Sequence, residues 1–393
     1  MPHAPAPPAN ATREAILERT RALAPRFAER AQAAEEARRI PPASVNEMLE
    51  AGFARILLPR RIGGYGLGFD TWLDVVRELG KADASHAWCA GLIIHHAHLI
   101  AQYPEQAQQA LWADGLDVAV AASFAPNTQA IAVDGGYRIS GSGPFASGVD
   151  YSAWVMLGGM AQDSPTPQWK FFLVPPGDYK VHDTWFTAGM RATGSKTIVT
   201  DNAFVPHCRA LRLADLRDGK TPGSALYPDV ILHTPFFYYA PISFAAPMLG
   251  TAQGAYALFR DWTRKRRTQS GAAMAETTSI QVRMARAAAD IDAADLLLRR
   301  AACVTDAPEL YSPTLLARSV RDFARVSELT VAAVDTIVAL SGTAGFDAAH
   351  PIQRAWRDIH FMAMHISLNP EMNFAHFGRL ELGLGRDANR PWF

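Results

Sequence analysis

Between about Leu116 and Asp215 the apolar residues lose their helical spacing and fall into short β-type runs, and after Asp215 the helical spacing returns. A strand period of about 2 and a helix period of about 3.6 direct side chains onto incompatible faces, so neither kind of segment can be absorbed into the other. The chain is therefore expected to fold as helices, then strands, then helices. This is an α+β arrangement with segments 12–114, 115–225 and 226–393, behind a Pro/Ala-rich flexible tail at 1–11.

The individual runs support this order. VAVAASF, AIAV-DGG-YRIS, AWVMLGG, WKFFLVP and KTIVTDNAFVP lie between turn residues, and Asp134-Gly135-Gly136 is a hairpin link. After a Pro/Gly-containing connector near 219–228, long helices are expected at about 236–268, 276–304 and 313–341, with a fourth around 351–382. In the second, Ile280, Met284, Ala287, Ile291, Ala294 and Leu298 form the seam of a helix bundle. Earlier, Ser44-Val-Asn-Glu47 after Pro41-Pro42 fits a capping box, and Gly52 closes that helix.

Composition narrows the function classes. Lys+Arg 38 balances Asp+Glu 38, which leaves no global attraction toward nucleic acid or an anionic membrane. Cys89, Cys208 and Cys303 are far apart with no C-x-x-C pair, which argues against a disulfide framework or a structural zinc. The N-terminal MPHAPAPPANAT has no leader pattern, and no run of about 18 apolar residues occurs, so a cytoplasmic protein is expected.

P-loop, H-E-x-x-H, G-x-S-x-G and strand-linked G-x-G-x-x-G motifs are absent. Gly63-Gly64-Tyr65-Gly66-Leu67-Gly68 follows a helix and reads as a structural loop. Two histidine groups remain: His95, His96 and His98 in GLIIHHAHLI, and His360 with His365 in RDIHFMAMHISLN. They read either as packed core histidines or as proton-exchanging groups, and the spacing of the second pair argues against a shared metal. Gly143-Pro-Phe-Ala-Ser147-Gly148 and Arg191-Ala-Thr193-Gly194-Ser195-Lys196 read as ordinary turns, or as hydroxyls and backbone N–H groups suited to the edge of a flat heteroaromatic ring. Arg264-Lys-Arg-Arg267 is a solvated face or a phosphate site.

Five segments, LLPRRIGGYGLG, YRISGSGPFASGVDYSAWVMLGG, AGMRATGSKTIVTDNAFVP, RRTQSG and LSGTAGFDAAHPIQRAWRD, together resemble the acyl-CoA dehydrogenase superfamily over residues 12–385. That resemblance implies a helical N-terminal domain, a central β-barrel-like domain and a C-terminal four-helix bundle. Dehydrogenases of this kind use a glutamate base, yet its two usual places here hold Met364-His365-Ile366 and the acid-free FFYYAPISFAAPMLG. The strings MRATGSK, RDIHFMAMH and SHAWCAGLIIHHAHLIAQYP instead resemble the oxygenase components of two-component flavin-dependent monooxygenases. A departure is Gly143, where that family often has tryptophan.

The resemblance implies reduced FMN or FAD with O₂, reacting through a C4a-(hydro)peroxyflavin to hydroxylate a phenolic or indole-like substrate. No metal is implied. Ser147, Thr193, Gly194 and Ser195 would hold the flavin ring, and Arg267 and Gln269 its phosphate across a subunit boundary in a homotetramer, a dimer of dimers. His365 would act as base toward the phenol or as proton donor, with His96 orienting the substrate hydroxyl, or His95 or His98 if the register slips. Phe237, Tyr238 and Tyr239 would wall the substrate pocket. A separate NAD(P)H:flavin reductase would supply the flavin. The alternative is a flavin dehydrogenase or oxidase with tightly bound FAD.

Overall fold

The computed structural model describes residues 10–268, 270–304 and 308–385. Five helices come first: α1 (Arg13–Ala37), α2 (Pro42–Glu50), α3 (Phe69–Gly80), α4 (Ala84–Ile100) and α5 (Glu105–Leu111). Strands β1 (Val120–Val133), β2 (Gly136–Ala146), β3 (Trp154–Gln162), β4 (Gln168–Val174), β5 (Lys180–His182), β6 (Lys196–Pro206) and β7 (Ala210–Arg212) follow. They form a sheet in the order β5-β6-β2-β1-β3-β4-β7. The expected hairpin is present: Val133 pairs with Gly136 across Asp134-Gly135, and Gly135 takes the φ of 74° that such a turn demands. The runs VAVAASF and AIAV belong to one strand, β1, whose pairing with β3 shifts register between Ser123 and Thr128.

Four short helices, α6 (Leu213–Arg217), α7 (Pro222–Leu226), α8 (Val230–His233) and α9 (Phe236–Tyr239), lead into α10 (Ile242–Thr263), α11 (Thr278–Cys303) and α12 (Pro313–Ser341). Ile280, Ala287, Ile291, Ala294 and Leu298 on α11 are buried, as the seam requires, whereas Met284 is only half-buried against the core. The helices at both ends of the chain share one apolar core, running from Ile16 through α4 to Leu368. A second core, with Tyr137, Ile139, Val155, Phe172 and Val205, belongs to the sheet. No described helix is long and apolar enough to cross a membrane.

Two expectations are corrected. The capping box at Ser44 does not form, because Pro42 already opens α2 behind Pro41. Ser44 is instead a buried acceptor for Arg30, and Glu47 pairs with the same guanidinium at 2.7 Å. The fourth bundle helix is broken into α13 (Pro351–Ala363), a 3₁₀ turn at Ile366–Leu368, and α14 (Pro370–Glu381). Pro370 has no N–H, and its ring would strike the carbonyl of Ile366 in a continuous helix, so the chain restarts with Asn369 as cap.

Candidate active site

Helix α4 is buried on all sides, and a helix apolar all round belongs in the centre of a molecule. Its first turn is fixed by Asp83, which accepts from the His86 N–H at 3.0 Å and holds His86 Nδ1 at 2.7 Å. Further along, α4 presents first Trp88 and then the three histidines.

Trp88 Nε1–H donates to Ser147 Oγ at 3.1 Å. Ser147 Oγ lies 2.7 Å from Ser195 Oγ, which lies 2.7 Å from Thr193 Oγ1, which donates to the Met190 carbonyl at 2.8 Å. Two turns supply these hydroxyls. One ends β2, where Phe145 takes a φ of 61°, and the other precedes β6, where Met190 takes a φ of 53°. The Gly148 N–H joins them by donating to the Thr193 carbonyl at 2.9 Å. Gly143 has no room for a side chain without a shift of its neighbours, because a Cβ there would stand 2.5 Å from Leu157 Cδ2 and 2.8 Å from Ser123 Cβ.

Asp358 on α13 accepts from the Met190 N–H at 2.6 Å. Burial, reinforced by the nearby charge of Asp83, raises its carboxyl to about 7. Seven residues further on, the break after α13 puts His365 at the N-cap of the 3₁₀ turn. Its Nδ1 accepts from the Ser367 N–H at 3.2 Å. The ring stacks on Phe244 at 3.6 Å and meets Trp88 edge-on at 6.0 Å. The residue remains partly exposed, yet desolvation among these rings lowers it to about 4. His365 is therefore neutral, with its proton on Nε2.

The second histidine group lies deeper. His96 Nδ1 donates to the Val120 carbonyl at 2.5 Å, which leaves Nε2 as a bare acceptor with no partner among the described residues. Burial lowers its pKa to about 4. His95 Nδ1 pairs with Ser243 Oγ at 2.9 Å, and its ring sits among Trp72, Phe124, Phe236 and Tyr239. His98 packs against Phe69 and Tyr239 and is lowered by burial to about 3.

Ser147 and His365 thus meet at Trp88, and Ser195 and Thr193, flanking Gly194, join through the Ser147 hydroxyl; His96 and Tyr239 lie in the deeper group. Tyr238 turns away: its hydroxyl donates to Ser312 O and its ring stacks on Tyr311 at 4.8 Å. Phe237 packs edge-on against Phe236, and Phe236 takes the place at His95. Arg267 is exposed and donates to the Gly271 carbonyl within its own turn, and Gln269 lies outside the described residues. His360 pairs with Asp335 at 2.8 Å, apart from His365. Among the described residues no group of His, Cys, Asp and Glu is arranged to hold a metal ion.

The sequence reading missed Trp88, Met190 and Asp358. All three lie inside quoted segments, but Met190 acts through its main chain, and the partners of the Trp88 indole and the Asp358 carboxyl are distant in sequence, so residue type alone does not reveal them. The site suits a flavin: acceptor oxygens line one edge, and Phe145, Met364 and Ile366 leave apolar surface exposed around it (68%, 78% and 65%).

The chain matches the family described as Acyl-CoA dehydrogenase, N-terminal domain, over residues 10–116, and Acyl-CoA dehydrogenase, C-terminal domain, over residues 242–370. It is 35% identical to the FADH(2)-dependent resorcinol hydroxylase, oxygenase component, of Rhizobium sp. (strain MTP-10005), covering 98% of each chain. The crystal structure of 3-HSA hydroxylase from Rhodococcus sp. RHA1 superposes with a TM-score of 0.90 at 32% identity, over 95% of this chain and 97% of that one. XiaF from Streptomyces sp., in complex with FADH2 and glycerol, gives 0.87 at 27% identity, over 95% and 96%. Sequence and fold agree: the chain belongs to the acyl-CoA dehydrogenase superfamily, in its branch of flavin-dependent monooxygenase oxygenase components.

Proposed function

We propose that this chain hydroxylates a phenolic or fused-ring aromatic substrate with O₂ and reduced FMN or FAD, delivered by a separate NAD(P)H:flavin reductase in the cytoplasm. The observation that carries the reading is the run of hydroxyls from Ser147 to Thr193 beside a neutral His365. Reduced flavin, when bound, supplies the two electrons that divide O₂ between the inserted oxygen atom and water.

The residues divide the remaining work. Ser147 and Ser195, with the backbone at Gly194, would hold the flavin ring by its nitrogen edge, with Ser147 as the partner of N5. His96 offers only the Nε2 lone pair, so it accepts the substrate hydroxyl proton and fixes the orientation of the ring. Its lowered pKa makes it a holder of that proton rather than a strong base. Of the two roles expected for His365, its tautomer supports hydrogen-bond donation: Nδ1 is occupied by the Ser367 N–H, which leaves Nε2–H to give. Phe236 and Tyr239 supply the aromatic wall, and the packed rings exclude water. Arg267 and Gln269 hold the flavin phosphate from a neighbouring subunit of a homotetramer.

The alternative of a dehydrogenase or oxidase needs a carboxylate base in the pocket. The nearby buried carboxylate, Asp358, is engaged by the Met190 N–H. The test is to load the chain anaerobically with reduced FMN or FAD, add ¹⁸O₂ and a panel of phenols and indoles, and weigh the products. One ¹⁸O per product is expected. Desaturated product without label, or direct reduction of the flavin by substrate, would overturn the reading.

A further inference from the structure

The protons in the hydroxyl run can be placed by elimination. A carbonyl oxygen only accepts, so the single hydroxyl proton of Thr193 is committed to Met190 O at 2.8 Å. The 2.7 Å contact between Thr193 Oγ1 and Ser195 Oγ needs a proton between them, and Ser195 must supply it. The same reasoning at the next 2.7 Å contact makes Ser147 the donor to Ser195. Trp88 Nε1, which can only donate, closes the other end at Ser147.

The order cannot reverse while its root stays in place. Met190 is held by Asp358 at its N–H, and its carbonyl also accepts from Trp185 Nε1 at 3.1 Å. Ser147 therefore keeps its own proton turned inward and has one lone pair left for an arriving group. It can accept a hydrogen bond and cannot give one.

We infer that this rooted run of hydroxyls makes the site choose the redox state of its flavin, with Thr193 as the residue that sets the choice. The inference rests on the reading above, in which Ser147 meets flavin N5. Reduced flavin carries a proton on N5 and donates to the Ser147 lone pair. Oxidised flavin presents a lone pair there, so two acceptors would face each other with no proton between them. Oxidised flavin is the product of turnover, so the same rule that admits the reduced ring expels the spent one.

The test compares dissociation constants of reduced and oxidised FMN and FAD, measured by anaerobic titration, in the wild type, Thr193→Val, Ser195→Ala and Thr193→Ser. The wild type should favour the reduced ring. Thr193→Val removes the root and Ser195→Ala removes the acceptor for the Ser147 proton, so each frees Ser147 to donate. The preference for reduced over oxidised flavin should narrow by about tenfold in both, the scale of one unsatisfied polar group. Thr193→Ser keeps the hydroxyl and should keep the preference. An equal affinity of the wild type for both states, or an unchanged ratio in both Thr193→Val and Ser195→Ala, would overturn the inference. Failure of the wild type to bind flavin in either state would instead overturn the functional reading beneath it.

Discussion

His365 and Ser147 show how little of a residue's role lies in its type. Any histidine can hold or release a proton near neutrality, but the Ser367 N–H on Nδ1 and the stack on Phe244 select one tautomer and one charge. His365→Ala is therefore expected to keep flavin binding while product formation falls about 10²- to 10³-fold, the usual weight of a positioned hydrogen-bond donor. Single-turnover product assays beside flavin titrations check this. Ser147→Ala should weaken binding of reduced flavin while leaving the aromatic substrate's affinity near wild type, as separate anaerobic titrations would show. Both residues could be singled out as candidates in the sequence. Their hydrogen-bond polarity was not legible there, because it depends on the Met190 carbonyl and the Ser367 amide, which every residue type carries.

At the level of elements, the order of helices and strands could be read from hydrophobic period because that period reports buried faces directly. The DGG hairpin was legible for the same kind of local reason. Ends and breaks were harder. Ser44 carried a capping pattern that Pro42 pre-empted, and the fourth bundle helix showed apolar spacing on both sides of a break. That break matters functionally, since it takes His365 off the helix and turns it toward Trp88. Asn369 maintains it by accepting from the Met372 N–H at 2.9 Å. Asn369→Ala is expected to cost about 0.5–2 kcal/mol of stability, measured by denaturant unfolding, the range for a lost N-cap.

On the scale of the whole molecule, buried titratable groups predict a pH response. His95, His96, His98 and His365 are all lowered by burial, so they stay neutral when folded and take up protons near 6.5 when unfolded. Their contribution is present above that unfolded value and is lost as pH falls from about 6.5 toward 4. Asp358 acts in the opposite sense: raised to about 7, it contributes stability that is complete at low pH and lost as pH rises through 7. Four groups against one make acidification from about 6.5 to 4 destabilising, and urea midpoints across that range would show it. Asp358→Asn removes the opposing contribution and should make the loss steeper.

The roughly 20 Å of helix α13 and the turn that leads into the sheet meet at the single residue Met190. Its N–H is grasped by α13 and its C=O by the turn that leads into β6. Such a joint works as a strain gauge. When heat or a distant substitution loosens the bundle against the sheet, the hydrogen bonds of this residue are expected to give first, while both secondary structures are still intact. Flavin affinity should therefore decay several degrees before circular dichroism records any unfolding, so that bound cofactor reports the integrity of the whole assembly.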